Sequence, residues 1–240
     1  MKIAISTVLF LLIFQFPGKA QTKDSANLLA DITGSERISL PESFVFDKSL
    51  DITFSSGTKS NLSVLQYKFR YPENQAYMAM TITGQAEESR EKNPEIVVDF
   101  ETERIINFMC FSHTKMALIH TLTESKKDVR ILKTDCSGLR PTEKSKLILG
   151  YNCTAYRFEN ESAKGTVWIA ATVDSSLEKL FSGLGLSVLI DETQTGYILL
   201  MEAKELNSGE LTKVAVNQVN VDDDYAIDSQ SYVATAVPAN

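Results

Sequence analysis

The chain has 240 residues, of which 43% are hydrophobic and 23% are charged. This balance is that of an ordinary globular protein, and it excludes both wholesale disorder and a polytopic membrane protein. The formal net charge of −7 makes nucleic acid and anionic membrane surfaces poor partners. The length suits one β-rich domain with a sizeable core.

The first twenty residues have the pattern of a signal peptide. Lys2 supplies a positive charge, Ile3 to Phe16 form an apolar segment, and Pro17 to Ala20 provide a small-residue cleavage site. An uncleaved anchor helix is the alternative, but it needs about 20 apolar residues, and this run stops at Pro17. Because no Cys stands near the cleavage point, a lipid anchor is not expected. We therefore expect a periplasmic or secreted protein, without a transmembrane segment after cleavage.

Three cysteines, Cys110, Cys136 and Cys153, would enter an oxidising compartment. Cys110 lies in an apolar run and is predicted to be a buried, small hydrophobic residue. Cys136 and Cys153 form the better pair because they flank a turn-rich segment, and a disulfide that closes this loop of about 15 residues would add roughly 3 kcal/mol. Three free thiols are the other interpretation, since the sequence does not place two Cβ atoms within bridging distance. No local feature argues for a catalytic thiolate.

From Phe44 onward, short β-rich runs separated by turn residues predict an antiparallel sheet with hairpin connections. A helix is predicted at Ser175 to Ser182, and a shorter one at Ser25 to Leu29. We expect a polar N-terminal segment over 21–43, one β-rich domain over 44–228 and a mobile tail over 229–240. The predicted strands are Leu50 to Ser55, Leu62 to Tyr71, Ala76 to Thr83, Glu95 to Thr102, Arg104 to Phe111, Lys115 to Leu122, Val129 to Thr134, Lys146 to Leu149, Asn152 to Glu159, Gly165 to Val173, Gly196 to Ala203 and Glu210 to Val221.

Apolar residues occupy both faces of some predicted strands. Met78, Met80 and Ile82 share one face of their strand, and the strand Arg104 to Phe111 is apolar on both sides. A helix, a long loop or a ligand must therefore cover the second face. Methionine suits a surface that adapts to varied apolar shapes, although methionines that simply fill the core are the other interpretation.

No constellation of residues predicts a reaction. The two histidines, His113 and His120, are too few for a usual metal site, which needs three or four converging ligands. The sequence lacks a nucleophile elbow, and Ser182 to Gly185 lacks the lysine of a phosphate loop. Asp222 to Asp224 do not alternate as calcium ligands do, so a solvated acidic turn is favoured over a metal site. We expect no enzyme activity, no metal and no cofactor.

One segment carries a family resemblance. Leu147 to Tyr156, followed by Gly165 to Ile169, resembles an exported family of Gram-negative bacteria known only as a domain of unknown function. Ile96 to Phe100 and Arg104 to Met109 fit the same pattern, and the similarity covers roughly Leu50 to Val221. Its most specific residues are Gly150, Tyr151, Cys153, Tyr156 and Trp168. The family looks like the LolA superfamily of periplasmic lipoprotein carriers. The resemblance implies one strongly curved antiparallel sheet, a half-barrel, with one or two short helices on its concave face.

Together, the apolar faces and the resemblance predict an exported, non-enzymatic binding protein. Its ligand would be a lipid, an acyl chain of a lipoprotein or another apolar small molecule. The alternative is an envelope scaffold or protein-interaction module that holds no small ligand and instead binds an envelope protein. The residues predicted to line the cavity are Met78, Met80, Ile82, Ile105, Met109, Met116, Leu177 and Phe181.

Overall fold

The computed structural model describes residues 39–74, 76–83, 94–111, 114–121, 138–190 and 194–237. Several predicted features lie outside these residues: the signal peptide, the helix at Ser25 to Leu29, His113, the strand Val129 to Thr134 and Cys136. The prediction of a mainly β protein is confirmed, because strands dominate the described residues and a single short α-helix accompanies them there.

The strands follow one another along the chain with short connections. They are β1 (Ser43–Phe46), β2 (Lys48–Thr58), β3 (Asn61–Tyr71), β4 (Tyr77–Thr83), β5 (Glu95–Asp99), β6 (Arg104–Phe111), β7 (Thr114–Thr121), β8 (Arg140–Ile148), β9 (Tyr151–Glu159), β10 (Ala163–Ala170), β11 (Ser187–Leu189), β12 (Thr195–Glu205), β13 (Leu211–Asn220), β14 (Tyr225–Asp228) and β15 (Val233–Ala236). Helix α1 (Glu178–Gly183) follows a 3-10 turn at Ser175–Leu177, where a helix was predicted.

Thirteen of these strands form one large sheet. Their order is β15-β7-β6-β5-β4-β3-β2-β13-β12-β10-β9-β8, and β11 pairs with the start of β12. All the pairs are antiparallel except β15 with β7, so the sheet is mixed rather than purely antiparallel. The sheet is not closed, because β8 and β15 stand at its two ends. β1 and β14 form a separate two-stranded sheet, which we call the ribbon.

The ribbon covers one face of strands β4 to β7. Phe44, Phe46 and Ile227 of the ribbon are buried in one cluster with residues from all four strands. The ring of Phe44 meets Tyr77 and Phe108 edge-on, with centroids 5.1 and 5.9 Å apart. Such edge-to-face contacts add to the stabilisation from the buried apolar area. The members of this cluster on β4 to β7 are Tyr77, Ala79, Val97, Ile106, Phe108, Ala117 and Ile119.

Arg70, on β3 of the main sheet, binds the ribbon and its flanking turn through ionic and cation–π contacts. Its guanidinium lies 3.7 Å from the ring centroid of Tyr225 and donates from Nε to Asp223 Oδ2 at 3.2 Å. It also donates to Thr81 Oγ1 at 3.1 Å and lies 4.0 Å from Glu95 Oε1. The Tyr225 hydroxyl donates to Glu95, and burial together with this hydrogen bond raises the pKa of Tyr225 far above its ordinary value. Asp223, predicted to be in a solvated turn, is therefore part of a structural ion pair.

Two further expectations differ from the structure. Residues of the predicted mobile tail form a 3-10 turn at Ser229–Ser231 and strand β15, which pairs with β7. The predicted strand Lys146 to Leu149 is the end of a longer strand, β8, whose first part contains Pro141 and a register shift. β8 is a polar edge strand and β15 is an edge strand of four residues, so neither shows a clear alternation of apolar and polar residues.

The Arg70 contacts generate a stability prediction. Arg70→Met should lower the free energy of unfolding by about 2 kcal/mol, because it leaves the largely buried Glu95 and Asp223 without their cation and removes the contact with Tyr225. The matched control is Lys213→Met, which breaks an exposed pair with Glu202 and should cost less than about 0.5 kcal/mol. Chemical denaturation measures both values, and equal losses would show that Arg70 has no special role.

Candidate functional site

The face opposite the ribbon carries the methionines. We call it the methionine face and define it, by strand register, as the β4 to β7 residues that point away from the ribbon. Met78 pairs with Val98 and Val98 with Ile105, while Met109 pairs with Met116. All six predicted lining residues on the strands therefore share one face. The apolar members of this face are Met78, Met80, Ile82, Ile96, Val98, Ile105, Met109, Met116 and Leu118.

The predicted lining residues differ in burial. Met78, Met80, Ile105 and Met116 are buried, whereas Ile82 and Met109 are half-buried. Met78 and Met80 belong to the main hydrophobic cluster, so for these two residues core packing is the structural role. Ile105 belongs to a small separate cluster with Val98. The predicted group is thus one face of the sheet, but it is not one packed cluster.

The two remaining predicted residues lie in helix α1 and in the 3-10 turn before it. Leu177, at the end of the preceding 3-10 turn, and Phe181, within α1, are fully buried in the same cluster as Met78 and Met80. The turn begins at Asp174, whose carboxylate accepts a hydrogen bond from the Ser176 amide at 2.9 Å. These hydrogen bonds hold the pKa of the Asp174 carboxyl below its usual range.

A stripe of half-buried apolar side chains crosses six neighbouring strands on this side of the sheet. Its members on β2 and β3 pair directly with each other, and those on β4 to β7 belong to the methionine face. On β3, Tyr67 pairs with Ile82 and Phe69 with Met80, which continues the face from β4. The stripe consists of Phe54, Leu65, Ile82, Ile96, Met109 and Leu118. Each of these side chains retains surface that the described part of the protein does not bury.

Lys48 is a buried cation that the sequence analysis missed. It lies two residues before Leu50 on β2, and its side chain is only 4% exposed. Its ammonium donates to Glu73 Oε2 at 3.0 Å and to Asp47 Oδ1 at 3.3 Å. Burial lowers the pKa of Lys48, but these hydrogen bonds and the two carboxylate charges outweigh it and raise the pKa above its ordinary value. Lys48 alternates with the core residues Leu50 and Ile52 along β2, and this spacing is the sequence signal that would have placed Lys48 beside the core.

Two other polar residues interrupt the methionine face. Asn107 is buried and lies in register between Ile96 and Leu118. His120 is half-buried and lies opposite Ile105. An apolar binding surface commonly contains a few polar groups that fix the orientation of its ligand. The sequence analysis considered His120 only as a metal ligand, for which two histidines are too few, and it gave Asn107 no role.

The cysteines differ from one another in exposure. Cys110 is exposed near the end of β6, so the prediction that it is buried was wrong. The part of β6 that the ribbon covers ends before Cys110. Cys153 is buried, and burial raises the pKa of its thiol. Its Sγ lies 3.5 Å from the Tyr151 carbonyl oxygen. Because Cys136 lies outside the described residues, the disulfide between Cys136 and Cys153 stays a prediction.

The described residues contain no group of three or more His, Cys, Asp or Glu side chains that could hold a metal ion. Within the same residues, no helix has the length and hydrophobicity to span a membrane.

No protein-family model and no curated protein matches the sequence. Among solved structures, a LolA superfamily protein from Nitrosomonas europaea is 12% identical over 81% of this chain and 93% of that chain, with a TM-score of 0.31. The chain is similar to a LolA superfamily protein. A DUF1329 family protein from Desulfovibrio piger is 10% identical over 86% of this chain and 93% of that chain, with a TM-score of 0.32. These matches include the superfamily that the sequence resembles.

PNGF-II also matches, with 11% identity over 80% of this chain and a TM-score of 0.36. This chain spans only 31% of PNGF-II. Since every one of these TM-scores is below 0.5, the function has to be inferred from the residues of the chain itself.

Thiol chemistry tests the placement of the cysteines. Cys110→Ser should remove a fast-reacting thiol of the native protein, because Cys110 is exposed, whereas Cys153→Ser should leave the fast reaction unchanged, because Cys153 is buried. Labelling with a maleimide under native conditions measures the rates. The reverse pattern would contradict the structure. Counting thiols in unfolded protein with and without reductant separately tests the disulfide: one reactive thiol that becomes three supports the pair, and three in both samples excludes it.

Proposed function

We propose that the protein is an exported, non-enzymatic binding protein that takes up an acyl chain or a similar apolar ligand against the methionine face. The half-buried stripe of Phe54, Leu65, Ile82, Ile96, Met109 and Leu118 is the observation that carries this proposal. The ribbon covers the opposite face of β4 to β7, so among the described residues of these four strands the half-buried apolar side chains lie on the methionine face.

The chemistry of the stripe suits a loosely specified apolar ligand. Burying the remaining surface of these side chains would stabilise a complex by about 25 cal/mol for each Å² removed from water. Met109 has an unbranched, flexible side chain that can repack around chains of different shape. Lys48, Asn107 and His120 are the polar groups of the same side of the sheet, and we propose that they limit how deep a ligand enters. No catalytic group is required.

We further propose that the thirteen-stranded sheet curves into a half-barrel with α1 on its concave side. Twisted open sheets of more than about ten strands tend to curl, split or flatten. The fully buried apolar residues of α1, in one cluster with Met78 and Met80, support a helix that lies against the methionine side. Export into the periplasm or out of the cell is supported by the leader pattern at Met1 to Ala20.

A protein-interaction role is the second candidate, and the open edges of the sheet favour it. Every residue of β8 is exposed or half-exposed, and the outer side of this strand has no neighbour in the described sheet. An unpaired edge can accept a strand from another protein. Pro141, the register shift and the lysines of β8 weaken such pairing, and for that reason we place ligand binding first.

Binding of a fluorescent fatty acid tests the ligand proposal. Met109→Asp should reduce probe affinity at least tenfold, because it introduces a charge into the half-buried stripe. Cys110→Asp is the matched control, since Cys110 is the next residue on the same strand, faces the other way and is exposed. Met80→Asp is a poor test because Met80 is 8% exposed and its substitution would disrupt the core.

Thermal unfolding of both variants establishes that they fold. Equal probe binding by Met109→Asp and Cys110→Asp, or no binding by the unmodified protein, would contradict the proposal. Native mass spectrometry of the protein purified from its own cell envelope separates the two candidate functions. A co-purified lipid supports the carrier, and a stoichiometric protein partner supports the interaction module.

A further inference from the structure

The tip of the β8–β9 hairpin has exposed apolar side chains that do not pack in the core. β8 ends at Ile148 and β9 begins at Tyr151, and these two residues pair, so the turn contains only Leu149 and Gly150. Leu147 is 67% exposed and Leu149 is 41% exposed. Ile148 and Tyr151 pack against the main hydrophobic cluster, whereas Leu147 and Leu149 stay exposed and form an apolar point at this end of the sheet.

Leu149 also occupies an unfavourable backbone conformation. Its φ is 52°, and that of Gly150 is 84°. Positive φ at both residues is the requirement of a two-residue type I′ turn, and Asn followed by Gly satisfies it best. A leucine in the left-handed region costs free energy because its Cβ crowds the following carbonyl oxygen. Folding stability and solubility would both favour asparagine at position 149, so the leucine requires another explanation.

The strand that leads to the tip is basic. β8 carries Arg140, Lys144 and Lys146, all exposed, against one acid, Glu143. The ammonium of Lys146 lies 4.1 Å from the ring centroid of Trp168 on β10. Charges farther apart than about 8 Å are largely screened at physiological salt, so this local basic surface acts separately from the net charge of −7. The expectation that net charge disfavours anionic membranes does not apply at this place.

We propose that the β8–β9 tip docks the protein on an anionic lipid bilayer. Leu147 and Leu149 enter the interfacial layer, and Lys144 and Lys146 contact the lipid phosphates. Apolar side chains beside lysines are the combination that binds peripheral proteins to such surfaces. A protein partner fits less well, because a stable protein interface needs about 800 Å² from each side, and this convex tip presents only a few side chains. The inference is independent of the ligand on the methionine face.

Co-flotation of the mature chain with vesicles tests the docking. We expect binding to vesicles of equal parts phosphatidylcholine and phosphatidylglycerol, and weaker binding to phosphatidylcholine alone. Leu147→Asn with Leu149→Asn should reduce binding at least about tenfold, since two apolar contacts with the bilayer are lost. Leu62→Asn is the matched control, because Leu62 is 48% exposed beside the turn between β2 and β3, which the strand register places at the opposite end of the sheet. Lys144→Gln with Lys146→Gln should remove the preference for the anionic vesicles.

The single variant Leu149→Asn separates docking from folding. Asparagine suits the left-handed conformation, so this variant should unfold at the same or a higher temperature while its binding to vesicles falls. The proposal is overturned if the unmodified protein binds neither vesicle. It is also overturned if the double leucine variant binds as well as Leu62→Asn, or if removing the two lysines leaves the preference for phosphatidylglycerol unchanged.

Discussion

The need to bury both faces of one sheet governs this protein. Strands β4 to β7 are apolar on each side, and a sheet of this kind is stable only where both faces are covered. The ribbon of β1 and β14 covers one face with Phe44, Phe46 and Ile227, and Arg70 holds it there through Asp223 and Tyr225. The opposite face receives less cover. Core packing with α1 buries Met78 and Met80, and beyond them a stripe of apolar side chains stays half-exposed.

The unequal cover of the two faces connects fold to function. A face that is closed by tightly packed aromatic rings offers no room for a ligand, whereas half-buried Met109, Ile96 and Leu118 still have apolar area to lose. The hairpin tip at Leu149 also has exposed apolar side chains that do not pack in the core, and these side chains are available to a lipid phase. Ligand uptake and membrane docking would then use separate parts of one sheet, and a failure of either would leave the other standing.

The sequence predicted the strands that have one clear face or two buried ones. Alternation placed β3, β4 and β6 within a residue or two, and the helix predicted at Ser175 to Ser182 matches the 3-10 turn and α1 within one residue. The sequence did not predict the full length of β8, nor β14 and β15. β8 is exposed on both sides, and β14 and β15 are only four residues long, so none of the three shows a clear alternation of buried and exposed residues. The parallel pairing of β15 with β7 joins segments that are over a hundred residues apart, and no local signal encodes such a contact.

The candidate site was predictable to a similar extent. Period-two spacing places Met78, Met80 and Ile82 on one face, but only the register between strands adds Val98 and Leu118 and separates the buried methionines from the half-buried Met109. Lys48 was missed because a lysine at the start of a strand is usually solvated, and its burial depends on Glu73 of a distant turn. Cys110 was misplaced because the cover over its face ends before it, which depends on where the ribbon lies.

The most direct measurement is methyl NMR of the methionines with a spin-labelled fatty acid. Four methionines, at positions 78, 80, 109 and 116, lie on the methionine face. Met201 is buried in the same cluster as Met78 and Met80, but it lies on β12, six strands from Met109 on β6. Binding at the half-buried stripe predicts that the label broadens the signals of Met109 and Met116 more strongly than that of Met201. Uniformly unchanged signals, or strongest broadening at Met201, would contradict the account.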